Sequence, residues 1–184
     1  MVYETTPPVP ITVLRDRARA RITIPDPVMS SNPPLDDPDR HSVVHISTWL
    51  WIDDPWVAIG PEETSGFVTV SVSAVPQYMD WDMGDGSPSL QCGSPTEPPG
   101  IPWARGLDDS DTNCMHTYTR SSAGVGSGDA YTLTGAVRWQ FVWSINGVPQ
   151  PPFEDYDAAA TPVAHQVGKS KPVLGLQTHS RASV

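Results

Sequence analysis

Tyr131-Thr132-Leu133-Thr134-Gly135-Ala136-Val137-Arg138-Trp139-Gln140-Phe141-Val142-Trp143-Ser144-Ile145, followed at once by Asn146-Gly147, is the stretch that decides the fold. Its odd positions are Tyr131, Leu133, Gly135, Val137, Trp139, Phe141, Trp143 and Ile145, while the even ones are mostly Thr, Arg, Gln and Ser. Successive side chains of a strand point to opposite faces, so this alternation predicts one long strand, or two collinear strands joined at a bulge near Gly135. Asn-Gly is the preferred dipeptide of a two-residue hairpin turn and calls for a return strand. Pro149, Pro151 and Pro152 interrupt that return. The sequence therefore predicts a loop to about Ala160 and a last strand near Pro162 to Val167.

The same period recurs upstream. Phe67 to Val75 sets Val68, Val70, Val72 and Ala74 against Thr69, Ser71 and Ser73, and Tyr78 to Met83 sets Met79, Trp81 and Met83 against Asp80 and Asp82. Ser42 to Ile52 is rich in β-branched and aromatic residues, with Trp49 and Trp51 on one face. Twenty-one prolines in 184 residues argue against a helix bundle, because an internal proline removes a hydrogen bond and clashes with the preceding turn. An all-β domain over residues 43–167 is the expectation.

Residues 1–42 read as an N-terminal arm ending in a Pro/Asp-rich linker, and 168–184 as a flexible basic tail containing Lys169, Lys171 and Arg181. Within the arm, 11–22 fits a short helix starting near Pro10 with Ile11, Leu14, Ala18 and Ile22 on one side. It fits an extended strand equally well, since arginines alternate at 15, 17, 19 and 21.

A net charge of -10 excludes a phosphate-tracking groove, which needs clustered positive charge, so no nucleic-acid partner is expected. No run approaches the length of a membrane span. The two cysteines, Cys92 and Cys114, bracket a loop rich in Pro, Gly and Asp and suit a disulfide staple, which points outside the cytoplasm. No basic region followed by an apolar one opens the sequence, so that location, extracellular or cell-surface, requires a leader already removed or another route. No Asn-x-Ser/Thr sequon is present.

Trp81-Asp82-Met83-Gly84-Asp85-Gly86 ends one strand in a turn, Cys114-Met115-His116-Thr117-Tyr118 opens another, and Tyr131-Thr132-Leu133 leads into the long one. This trio resembles the PKD domain, an immunoglobulin-like β-sandwich of mostly extracellular proteins, with Met83 replacing the usual Phe. The longer insertion carrying both cysteines is similar to that of PKD-like proteins secreted by actinobacteria. The resemblance spans roughly 43–167 and implies structural roles for Trp81, Asp82, Gly84, Asp85, Gly86, His116 and Tyr118. From the residues themselves, Gly84 and Gly86 suit a tight turn, Asp85 accepts the turn's own amides, Trp81 is the core aromatic, and His116 is expected to bond to backbone.

Chemistry-bearing patterns are sparse. Asp109-x-Asp111-x-Asn113 imitates the start of a calcium loop, but Cys114 and Arg120 stand where Gly and Glu are required. A looser calcium site on Asp82, Asp85 or Asp108 stays open; no cofactor is expected. The five histidines lack zinc-site spacing, and Ser127 in Gly124-Val125-Gly126-Ser127-Gly128 is not a nucleophile elbow. The chain is not expected to be an enzyme. Trp51, Trp56 and Trp103 sit beside Pro and Asp and form the candidate binding surface. The leading expectation is a non-catalytic extracytoplasmic structural or protein-interaction module, a subunit of a surface assembly whose partners are other subunits or further copies of itself. A carbohydrate-binding module stacking surface glycan on those tryptophans is the alternative, and a phage or particle decoration protein a third reading.

Overall fold

The structure is a computed structural model describing residues 8–35, 37 and 40–169; the rest of the expected tail and the first seven residues lie outside the described residues. It is predominantly β. One helix, α1 (Ile11–Arg19), precedes β1 (Met29–Asn32), β2 (Ser42–Val43), β3 (Ser47–Ile52), β4 (Ile59–Ser65), β5 (Thr69–Asp82) and β6 (Leu90–Cys92). A single 3-10 turn (Asp109–Asp111) follows, then β7 (Met115–Thr117), β8 (Tyr131–Ile145), β9 (Val148–Ala159), β10 (Val163–His165) and β11 (Val167–Gly168).

The spine is the antiparallel pair β5–β8, in register from Val70↔Ile145 to Asp82↔Thr134. β4 and β6 line the far side of β5, and β9 and β10 the far side of β8. A smaller antiparallel sheet has the order β1-β3-β7, and β11 pairs with β2 in parallel. β8 runs unbroken, without a bulge at Gly135. The irregularity lies in its partner, between Pro76 and Tyr78. It resolves a feature of the sequence: the apolar phase of β5 is even at Val70, Val72 and Ala74 but odd at Met79 and Trp81, and one extra residue keeps all five buried on the same face. The two alternating stretches are one strand.

Asn146 (φ 47°) and Gly147 (φ 80°) both have positive φ, as a two-residue hairpin turn requires. The return segment corrects the expected loop: it is strand β9, paired with β8 along most of its length. Its prolines are tolerated because β9 is an edge strand and because the register shifts between Phe141 and Trp143, where Pro151 and Pro152 fall. The Trp143 indole N–H donates to the Pro151 carbonyl at 2.9 Å and stitches the irregular stretch back to β8.

One face of the spine is covered in two halves. Beside the Asn146-Gly147 turn lies α1, which settles the choice between helix and strand. Leu14 and Ala18 are buried, but the expected apolar partner Ile11 is exposed. Arg15 and Arg19, one turn apart, complete the inner face instead. The Arg19 guanidinium lies 3.8 Å from the Phe141 ring centre and makes a two-pronged bond to Glu154, while that of Arg15 lies 4.5 Å from Phe153 and 5.5 Å from Trp143. The other half is covered by the small sheet: Met29 of β1 and Met79 of β5 crowd the space over Gly135. Ile22 and Leu35 join the same core cluster, so part of the expected arm packs on its own domain.

Candidate functional site

The Gly-Asp-Gly turn is built from its own carboxylates. Asp82 accepts the Gly84 amide and Asp85 the Ser87 amide, each at 2.9 Å. Gly84 has φ +71°, and a Cβ there would stand 2.5 Å from the Thr132 carbonyl oxygen, so this corner admits only glycine. The second oxygen of Asp85 meets His116 Nε2 at 2.9 Å. His116 thus corrects the expected backbone bond: its partner is the carboxylate of the turn. Burial raises the Asp85 pKa, but Ser87 and the His116 imidazole together outweigh it and hold the carboxyl below its ordinary range. The Ser87 hydroxyl contributes to this lowering from beside the carboxylate without completing a hydrogen bond.

His116 packs edge-on against Tyr118, ring centres 4.5 Å apart, and Tyr118 stacks on Tyr131 at 5.5 Å. Tyr118 is fully buried with its hydroxyl unpartnered among the described residues; burial, then the nearby Asp85 charge, pushes its pKa up. Trp81 is fully buried too. Behind this group, buried His165 meets the Ser42 hydroxyl at 2.8 Å, which meets that of Thr48 at 2.6 Å. Burial lowers the His165 pKa, with a contribution from His41 in the same direction, and a bond to the Leu35 backbone offsets part of it.

Cys92 and Cys114 form a disulfide. It joins β6, in the large sheet, to the residue before β7, in the small one, so it ties the two sheets together. The acidic loop between them is spent locally. Asp108 accepts the Ser110 amide, Asp111 the Asp108 amide, and Asp109 the Ser47 hydroxyl and the Trp49 indole N–H. Asn113 bonds to Gly100 and Pro98. Among the described residues no three His, Cys, Asp or Glu side chains come together as a metal site.

The candidate tryptophans separate. Trp51 lies in β3, half-buried, with its N–H on Asp53 at 2.9 Å; Trp56 is half-buried, with its N–H on the Ser94 carbonyl at 2.7 Å. Only Trp103 of the three is exposed, at 43%. One exposed ring stands where a stacking platform needs two.

Trp56 instead lines a cleft of about 160 Å³ at the seam between the two covered halves. Pro25 and Pro27 form one wall, Pro55 and Val57 another, and Val137 and Trp139 of β8 contribute from the sheet. The walls are clamped together: the Val28 amide donates to Asp54 at 2.7 Å, and the Asp53 amide donates to the Val28 carbonyl at 3.1 Å. The indole N–H of Trp139 is buried with no partner among the described residues. Trp139 is read from the sequence as core by its alternation, and its 5% exposure agrees. Its place in a cleft depends on segments more than 80 positions away, which no local pattern announces.

Comparison with protein-family models, with curated proteins and with solved structures gives no match.

Proposed function

We propose that the protein is a non-catalytic, extracytoplasmic protein-interaction module built on a PKD-like, immunoglobulin-type sandwich. The observation that carries the reading is the inter-sheet disulfide, whose Cys92 pairs with Met79 on the strand that buries Trp81, a bond suited to an oxidising compartment. The side chains of the shared motif support it: Asp82, Asp85 and His116 bond to the turn and to each other, so they hold the fold instead of facing a substrate. The same bonding favours a structural motif over a calcium site on those carboxylates.

The test is thiol trapping in producing cells combined with native mass. The reading expects Cys92 and Cys114 to resist alkylation, in the extracytoplasmic fraction, within a complex heavier than the 19.9 kDa chain. Freely alkylated cysteines in the cytoplasm, on a monomer at every concentration, would overturn it.

A further inference from the structure

We propose that the cleft walled by Pro25, Pro27, Pro55, Trp56 and Trp139 receives a basic, proline-bearing extended segment of a partner protein. This rests on the interaction-module reading and names the surface that interacts. The first argument is size. A cavity of roughly 150 Å³ accommodates one benzene, so about 160 Å³ takes a single ring. The second is preformation: prolines with fixed φ, clamped across Asp54 and Val28, leave little to order on binding.

The third argument is hydrogen-bond accounting. The cleft lining is apolar apart from Asp54, with the Trp56 indole N–H already spent on the Ser94 carbonyl, so it offers no acceptor beyond that one carboxylate to a peptide N–H. An ordinary peptide segment would bring backbone N–H groups into this wall and leave them unpaired. Proline brings no N–H. In the polyproline II conformation, which has no internal hydrogen bonds, the chain is already extended.

The fourth is charge. Asp54 lines the cleft, Asp53 precedes it and Asp26 sits between Pro25 and Pro27, while no Lys or Arg lines it. With a chain of net charge -10, the complementary flanks are basic. Val57, 60% exposed, extends the apolar rim beyond the ring pocket.

The test uses the oxidised full-length protein and a fluorescein-labelled peptide of roughly ten residues, with proline at every third position, the repeat of that helix, and arginine at both ends. Fluorescence polarisation reads binding, and the Trp139 indole N–H resonance reads its place. Binding is expected, with that resonance shifted. Replacing the prolines by alanine, or the arginines by glutamate, should each weaken binding about tenfold. Val57→Arg, at an exposed rim position, should weaken it about tenfold with the melting temperature unchanged. Trp56→Ala should also weaken it by removing one wall of the cleft, and if it fails to fold, Val57→Arg still decides.

Equal binding of the alanine peptide, or indifference to Val57→Arg, would overturn the proposal. So would binding of phenol without any binding of the peptide, which assigns a small-molecule site. A native extracytoplasmic complex that forms although no peptide binds would remove this proposal and leave the module reading standing.

Discussion

The two halves of the β5–β8 ribbon are held down by opposite means. Toward the Gly-Asp-Gly turn, Trp81, Met79 and Leu133 are fully buried, Met29 of the small sheet packs over Gly135 with Met79, and a covalent bond ties that sheet in place. Toward the Asn146-Gly147 turn, Val70, Val72 and Phe141 are as fully buried, but their cover is a nine-residue helix without a side-chain N-cap, attached by Leu14, Ala18 and two arginines with no covalent tie. A sheet held by a covalent tie resists opening more than a single short helix whose margin rests on cation–π and ion-pair contacts. The first half should therefore behave as the stable unit and the second as a clamp that opens separately. The apolar cleft sits where they meet.

The largest effect that breaks this contrast is truncation of the buried indole. Trp81→Ala is expected to lower unfolding free energy in urea by about 3–5 kcal/mol, the range for emptying a large aromatic site. Next comes the bridge. Its cysteines are 22 residues apart, and the Cys92→Ser/Cys114→Ser double variant should lose roughly 3 kcal/mol, measured as the shift in urea midpoint between oxidised and variant protein. Arg19→Ala, which removes the Phe141 and Glu154 contacts together, should cost about 1–2 kcal/mol and speed proteolysis at the helix while sparing the disulfide half.

A smaller effect is the acid response of the disulfide half. His165 has a lowered folded pKa, so its stabilisation is complete above the ordinary histidine value of 6.5 and falls as pH drops through it. Asp85 is lowered as well, so its contribution is complete above the ordinary carboxyl value of 3.8 and falls at more acid pH. Urea midpoints measured against pH should therefore decline in two limbs. His165→Asn should flatten the upper limb, and Asp85→Asn the lower.

What was legible in the sequence follows the same division. The long alternation of β8, the apolar face of β5 and the cysteine pair are local patterns, and the fold uses them as read. β9 escaped because prolines disfavour interior strands, whereas this one lies at an edge with its prolines beside a register shift. The sequence leaves helix α1 undecided because Arg15 and Arg19 count as polar in any periodicity, yet their guanidinium groups lie over aromatic rings. The partner of His116 is invisible in the sequence because Asp85 is 31 positions away, and the cleft because it gathers residues from near 25, 55 and 139. Non-local pairings leave no periodic trace.

Native-state hydrogen exchange on the oxidised protein tests the unequal halves most directly. Amides of Met79 to Trp81 and Leu133 to Val137 should exchange only through global unfolding, while those of α1 and Val142 to Ile145 should exchange earlier, through a separate opening that Arg19→Ala accelerates. A single common exchange free energy along the whole ribbon, unmoved at the helix by Arg19→Ala, would contradict the account.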